Sequence, residues 1–286
     1  MALKDKLDGK SFIFTAELEP PKGTDISHIL GKLDIYRQAD AVNVTDNQRA
    51  IMKISPWAIS KVLIDNGIEP IMQLTCRDRN VLALQSDLLG ASLLGVRNVL
   101  ALGGDPPSAG DHPDAKAVWE VDLVKMIKMI KSLNAGKDIK GNALKGGTDY
   151  TIVAAMNPGA ADLAVEYSKT KAKIEAGASF FQTQIVYDAE KFKLFYEKLS
   201  DLNPKIIVGI TPLKSAKMAR FMNEKIPGVH VPEKLIEEME NSKEPLKTGV
   251  EQAIKIINEV KKYAAGAHLM TLGREEAISE ILNAFE

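Results

Sequence analysis

The fold is constrained most by short apolar runs that alternate along the chain with amphipathic segments. The runs are rich in β-branched and apolar residues and predict eight strands, over 12–19, 41–46, 70–76, 98–104, 151–156, 180–187, 206–212 and 268–273. Between them, apolar residues recur at three- and four-residue spacing, which predicts helices over 26–38, 56–66, 80–94, 122–133, 162–176, 189–199 and 215–223. This repeated order is typical of an α/β fold with a parallel sheet and right-handed crossovers.

The number of strand–helix units favours a closed barrel over an open sheet. Eight units in about 250 residues is the size of a (β/α)8 TIM barrel, whereas a doubly wound open sheet has about five or six strands. No Gly-, Pro- or Ser-rich linker divides the chain, so we predict a single (β/α)8-barrel catalytic domain over residues 1–286. Two further helical patterns, 232–241 and 248–264, precede the last strand, so one of them is an insertion. The polar segment 137–149 is predicted to be a surface loop.

Composition excludes several classes of protein. Lys plus Arg (37) nearly balances Asp plus Glu (38) without blocks of one sign, which argues against binding to nucleic acid or to an anionic membrane. The only cysteine, Cys76, excludes an internal disulfide and a thiolate cluster for zinc or iron–sulfur. The four histidines have no metal-ligand spacing, and each is expected to lie on the surface or to have its hydrogen bonds satisfied. No signal peptide or membrane-length apolar run is present, so a cytoplasmic protein is expected.

Polar residues collect where the predicted strands end, and the carboxyl ends of barrel strands are where active sites form. Glu17 and Glu19 end the first run, and Gln182 and Gln184 lie in the sixth; within each pair the side chains share one face, because faces alternate along a strand. A carboxylate there can act as a general acid, and an amide can hydrogen-bond the edge of a heterocycle. Each such residue has an alternative role in capping a helix or solvating the rim. Several polar ends converging on one mouth nevertheless predict a binding site.

Two further features bear on a bound ring. The turn 103–107 (GGDPP) lets backbone approach a ligand closely or forms a simple tight turn, and Trp119 lies near enough in sequence to stack on a planar group. The chain contains neither G-x-G-x-x-G nor a Walker loop, so a Rossmann dinucleotide site and a P-loop are disfavoured.

Six segments carry a family resemblance, in chain order and over nearly the whole length. They are FTAELEPP (14–21), VNVTDN (42–47), LALGGDPP (100–107), EAGASFFQTQ (175–184), GITPL (209–213) and TLGR (271–274). Together they resemble the successive signatures of methylenetetrahydrofolate reductases. The resemblance implies an oxidoreductase of one-carbon metabolism, a barrel with flavin at the strand mouths that reduces 5,10-methylenetetrahydrofolate to 5-methyltetrahydrofolate.

The resemblance also implies roles for individual residues. Glu17 matches the proton donor to the folate, and Asp105 matches a catalytic aspartate that lies near the flavin and contacts the pterin. Gln184 and Arg274 match folate-binding residues. The flavin contacts carry over to Thr45, Gly104, Asp105 and Lys173, with Trp119 as a further cofactor neighbour.

Departures from the family pattern leave the cofactor open. Flavin-binding bacterial members usually carry a histidine at Gln73, an arginine at Gly103, a histidine within 159–161 and an arginine at Ala172. Fewer phosphate- and ring-binding groups make FMN an alternative to FAD, and flavin-free hydride transfer from NAD(P)H an alternative to both. A third possibility is a folate- or flavin-binding subunit that takes electrons from a partner protein; the sequence also leaves a homo-oligomer open.

Overall fold

The computed structural model describes residues 3–9 and 12–286, and its eight parallel strands close into a barrel in chain order, which confirms the predicted (β/α)8 fold. The strands are β1 (Ile13–Leu18), β2 (Ala41–Val44), β3 (Pro70–Thr75), β4 (Asn98–Leu102), β5 (Thr151–Met156), β6 (Phe180–Ile185), β7 (Ile206–Ile210) and β8 (Gly266–Leu269). The barrel closes where β1 pairs with β8, from Ile13 opposite Gly266 to Ala16 opposite Leu269.

The helices surround this barrel, and in the described part of the chain they comprise α1 (Leu3–Asp8), α2 (Ser27–Leu30), α3 (Leu33–Tyr36), α4 (Pro56–Asp65), α5 (Val81–Leu93), α6 (Leu123–Asn134), α7 (Leu163–Ala176), α8 (Ala189–Lys198), α9 (Ala216–Lys225), α10 (Glu233–Asn241), α11 (Pro245–Val260) and α12 (Glu276–Leu282). Among these helices none combines the length and apolarity needed to cross a lipid bilayer.

The amino-terminal end of the barrel is filled by apolar side chains. Leu3 and Leu7 of α1 pack into one buried cluster with inward-facing residues near the strand starts, namely Ile13, Ala41, Ile71, Leu100, Val153, Phe180 and Ile207. The backbone N–H of Leu3 donates to the carboxylate of Glu69, which fixes the start of α1. Helix α1 therefore closes this end, and a ligand reaches the interior only from the opposite end.

Side-chain caps begin the helices that follow several strands. Asp122 accepts from the N–H of Lys125 at 2.7 Å, and Asp188 accepts from the N–H of Lys191 at 3.0 Å. Ser215 caps α9 in the same way. These side chains satisfy N–H groups that the first helical turn leaves free, and they fix where each strand-to-helix loop at the carboxyl end finishes.

Most predicted strands end one or two residues earlier in the structure, and three larger differences concern a strand start, a divided helix and two further helices. The predicted strand 268–273 begins two residues earlier and ends at Leu269, because Leu272 and Gly273 have φ of 52° and 80° and cannot continue a strand. The predicted helix 26–38 is two short helices, α2 and α3, separated by Gly31 and Lys32. Helices α1 and α12 were not predicted from the sequence.

Gly266 provides a test of the closure between β1 and β8. A Cβ at this position would lie 2.5 Å from the carbonyl oxygen of Ile13, so Gly266→Ala must push two paired strands apart. We expect it to lower the free energy of unfolding by about 2 kcal/mol in urea denaturation, as overpacking does. Gly90→Ala in α5 is the matched control, since nothing lies within 4 Å of its added Cβ. The control should raise stability by up to about 1 kcal/mol. Equal effects would contradict the close packing at Gly266.

Candidate functional site

The carboxyl ends of the strands surround a cavity of ≈ 330 Å³. Its lining includes four of the residues singled out from the sequence, Glu17, Gly104, Asp105 and Gln184, which come from β1, the loop after β4, and β6. A groove of ≈ 640 Å³ beside α7 shares Ala155 and Gln184 with this cavity. A smaller cavity of ≈ 230 Å³ lies between the ends of β1 and β8 and shares Glu17 with it. The three spaces therefore adjoin one another at the barrel mouth.

Glu17 and Glu19 lie near each other but have different partners. The side chain of Glu17 is 11% exposed; its Oε1 accepts from Gln48 Nε2 at 3.4 Å, and its Oε2 lies 3.8 Å from His268 Nε2. Glu19 is more exposed and forms an ion pair with Lys53 at 3.1 Å. No lysine or arginine within the described ranges lies within ion-pair distance of Glu17. Glu17 therefore faces the cavity without a lysine or arginine partner in the described residues, whereas Glu19 is held as one half of an ion pair.

Two arginines hold the loops after β2, β3 and β4 in place. Asp46 is fully buried and accepts hydrogen bonds from the backbone and hydroxyl of Thr75 and from both terminal nitrogens of Arg79. Burial alone would lower the pKa of the Arg79 guanidinium, but Asp46 reverses the effect and raises it. Arg77 binds the Asp78 carboxylate and donates to the carbonyl of Asp105 at 3.1 Å. The rim is therefore built on buried charge pairs whose cations are already bound.

The turn after β4 approaches the loop after β3 closely. Gly104 has φ of 85°, and a Cβ there would lie 2.9 Å from Arg77 Cβ. Asp105 follows with its side chain exposed at the cavity. Trp119 stands on the rim with 46% of its surface exposed, and its indole N–H donates to the carbonyl of Gly103 at 3.0 Å. The exposed backbone of Gly104, the carboxylate of Asp105 and the ring of Trp119 thus lie close to the barrel mouth.

Lys173 lies in the groove beside α7. Its side chain is 8% exposed, and its ammonium donates to the carbonyl of Ala155 at 2.6 Å. Burial lowers the pKa of Lys173, while nearby Glu166 acts in the opposite direction. Glu166 also accepts from the backbone N–H of Asn157, which orders the loop after β5. The groove therefore combines a mostly apolar wall with one buried cation.

None of the three spaces is lined by Thr45, Arg274 or Trp119, which were also singled out from the sequence. Thr45 is fully buried, does not line a described cavity, and its hydroxyl has no hydrogen-bond partner in the described part of the chain. Arg274 points toward α12, where it pairs with Glu280 at 2.5 Å and donates to the carbonyl of Leu246 at 3.4 Å. A binding role for Arg274 would require its side chain to leave Glu280, and the binding roles of Thr45 and Arg274 stay predictions.

The whole chain was compared with models of known protein families. The model of the family described as "Methylenetetrahydrofolate reductase" matches residues 2–286. The chain belongs to the methylenetetrahydrofolate reductase family. This confirms the resemblance inferred from the six sequence segments.

Named relatives agree with the assignment. A Caenorhabditis elegans protein named "Probable methylenetetrahydrofolate reductase (NADPH)" is 24% identical over 96% of this chain and 42% of its own length. "Methylenetetrahydrofolate reductase 2" of Schizosaccharomyces pombe is 28% identical over 98% of this chain and 46% of its own. The chain thus spans less than half the length of these two relatives.

A solved structure shares the fold. An uncharacterized Clostridium thermocellum protein, described as binding two copies of 5-methyl-5,6,7,8-tetrahydrofolic acid, superposes with a TM-score of 0.71. Its sequence is 20% identical, and the match covers 99% of this chain and 98% of that one. At this identity the likeness shows the barrel fold alone.

The sequence analysis singled out Gln182 but did not predict the polar pairs in the barrel interior below the cavity. Asn43 donates to Gln182 Oε1 at 2.8 Å, and Thr15 Oγ1 lies 2.9 Å from His268 Nδ1. The expectation that His268 is a surface or satisfied histidine was wrong, because it is fully buried and its Nε2 has no partner in the part of the chain described. The two-residue period was the available signal, since Thr15 precedes Glu17 by two residues.

The sequence shows no metal-ligand spacing among its four histidines. Within residues 3–9 and 12–286, no group of three His, Cys, Asp or Glu side chains is placed to hold a metal ion.

The Asp46–Arg79 pair provides a test of the rim. Asp46→Asn removes the buried carboxylate that binds both terminal nitrogens of Arg79 and leaves Arg79 paired only with the partly exposed Asp87, so we expect the free energy of unfolding to fall by about 2 kcal/mol in urea. Asp65→Asn removes the exposed partner of Lys61 on α4 and is the matched control, with an expected change within about 0.5 kcal/mol. A loss at Asp46 no larger than that at Asp65 would contradict a structural role for the buried pair.

Proposed function

We propose that this chain reduces the methylene bridge of 5,10-methylenetetrahydrofolate to give 5-methyltetrahydrofolate, with a flavin as the hydride relay. The observation that supports this best is the family match across residues 2–286 combined with a carboxylate, Glu17, that stands without a lysine or arginine partner in the described chain at the barrel mouth. The mouth also carries Asp105 and Gln184, which can hydrogen-bond a pterin edge.

Glu17 is proposed as the general acid. Its proton passes to the bridge nitrogen N10, the bond between N10 and the methylene carbon breaks, and a double bond to N5 forms with a positive charge. A hydride added to that carbon then yields the methyl group. Asp105 is proposed to stabilise the developing positive charge as a carboxylate near the pterin, since a charge that appears in the transition state is stabilised by a preorganised opposite charge.

Gln184 is proposed to bind folate together with Arg274. The exposed amide of Gln184 faces both the cavity and the groove, so it can donate and accept along one ring edge. Arg274 would have to leave Glu280 to reach a ligand, and as a half-buried cation it suits the charged tail of a folate better than the ring.

The residues at the mouth fit a flavin. Gly104 is exposed at the cavity, where its backbone can lie against a ring, and the adjoining groove is large enough for further parts of a nucleotide. When bound, a flavin supplies the two-electron carrier that accepts a hydride from a donor and passes it to the folate. Gly104, Asp105, Thr45, Trp119 and Lys173 are the proposed neighbours, and buried Lys173 is the cation available to an anionic group in the groove.

The proposed electron donor is NADH or NADPH, which reduces the flavin. The first alternative is direct hydride transfer from the nicotinamide to the folate without flavin, which the missing histidines and arginines favour. The second alternative is a partner subunit as electron donor, because a single cysteine leaves no site in this chain for an iron–sulfur cluster ligated by cysteines. A cytoplasmic location would give access to all of these donors.

Glu17→Gln tests the proposal. Positioned acid catalysis contributes roughly 10² to 10⁴-fold, so folate turnover should fall by about that factor while reduction of the cofactor by its donor stays nearly normal. Stopped-flow measurement of the two half-reactions separates these effects.

Glu19→Gln is the control, since Glu19 lines the neighbouring cavity but is bound to Lys53. It should change folate turnover much less. Normal folate reduction by Glu17→Gln, or failure confined to Glu19→Gln, would move the acid away from Glu17.

A further inference from the structure

A buried histidine lies directly beneath Glu17. His268 is in the middle of β8, opposite Thr15 of β1 and Gly209 of β7, and it is fully buried. Its Nδ1 is 2.9 Å from Thr15 Oγ1. Its Nε2 has no hydrogen-bond partner in the described part of the chain and lies 3.8 Å from Glu17 Oε2. One ring nitrogen is thus anchored, and the other is directed at the proposed acid.

An unsatisfied buried nitrogen needs a physical reason. Leaving a buried donor without a partner costs about 1–3 kcal/mol, and an apolar side chain of similar size would avoid that cost. Glu17 Oε2 lies 3.8 Å from Nε2, which is beyond hydrogen-bond distance, so a hydrogen bond between them requires the carboxyl group to approach the ring. The remaining candidate cation nearby, Lys53, is bound to Glu19.

We propose that His268 is a positioning residue for Glu17, and that it acts by donating its Nε2–H to Glu17 Oε2 while Thr15 holds the ring. This inference rests on the proposed role of Glu17 in folate reduction. It assigns a function to a histidine that lies outside the ligand-facing residues.

The chemistry of the three groups fixes the proton positions. In the proposed arrangement Glu17 Oε2 is the acceptor both before and after proton transfer, so the nitrogen that faces it carries a proton. A hydroxyl can donate as well as accept, so Thr15 donates to Nδ1, which then has no proton.

The same arrangement decides which oxygen of Glu17 carries the transferable proton. With Oε2 occupied as an acceptor from His268, the proton of the neutral acid resides on Oε1. Oε1 is the oxygen on the side of Gln48, which lines the cavity. After the proton leaves for the folate, the hydrogen bond from Nε2 stabilises the carboxylate that remains.

Three variants test the positioning role by steady-state folate reduction. His268→Phe keeps a ring of similar size but removes both nitrogens, and we expect kcat to fall about 10- to 100-fold with KM for folate within about 2-fold, because misplaced catalytic groups lose rate rather than binding. His268→Gln restores an N–H on the side of Glu17 and should recover much of the rate. Thr15→Val removes only the anchor and should give an intermediate loss.

A double-mutant comparison separates positioning from a general structural effect. In a Glu17→Gln background, His268→Phe should cause little further loss, since the residue that it positions no longer transfers a proton. An equal fold loss in both backgrounds, or a normal rate in His268→Phe, would overturn the proposal. If His268→Phe fails to fold, His268→Gln and Thr15→Val carry the same comparison.

A measurement without turnover distinguishes failure of this inference from failure of the proposed function. In protein labelled with ¹⁵N-histidine, NMR should show His268 neutral with its proton on Nε2, and Glu17→Gln should shift the Nε2 signal. A proton on Nδ1, or no response to Glu17→Gln, would overturn the positioning role. Coupling seen by NMR in a protein that does not reduce folate would refute the proposed function alone.

Discussion

Closure of the barrel is the constraint on which the rest of the structure depends. Eight strands hydrogen-bonded in a ring turn every second side chain into a narrow interior that the chain itself must fill. At the amino-terminal ends Leu3 and Leu7 complete an apolar plug. Toward the mouth the interior becomes polar, where Thr15 faces His268 and Asn43 faces Gln182. Such groups are tolerated because most of their hydrogen-bonding atoms are paired.

The charged groups of the rim are also paired within the protein. Arg77 is 2% exposed and uses its guanidinium on Asp78 and on backbone carbonyls of two loops, rather than offering it to a ligand. Arg79 forms ion pairs with Asp46 and Asp87. The mouth therefore presents carboxylates and amides, which suit the edge of a heterocycle and a developing cation. The adjoining groove beside α7 contains a buried cation, Lys173. The groove therefore suits an anionic group, whereas the central cavity does not.

Local patterns predicted much of this arrangement, and contacts between distant strands decided the rest. The two-residue period placed Glu17 on the inward face correctly, because it depends only on β1 itself. The start of β8 at Gly266 was missed, because a glycine there is explained only by the nearby carbonyl of Ile13. The orientation of the Arg274 side chain could not be predicted from a sequence pattern either, because it depends on the ion pair with Glu280 of α12.

The central claim is that folate is reduced at this mouth through a flavin, and an anaerobic single-turnover experiment tests it most directly. The purified protein should absorb in the visible region as a flavoprotein, lose that absorbance when a donor reduces it, and regain it on addition of 5,10-methylenetetrahydrofolate with an equal amount of 5-methyltetrahydrofolate formed. A colourless protein that gains no flavin on incubation, yet reduces the folate with NADH or NADPH, would contradict the account.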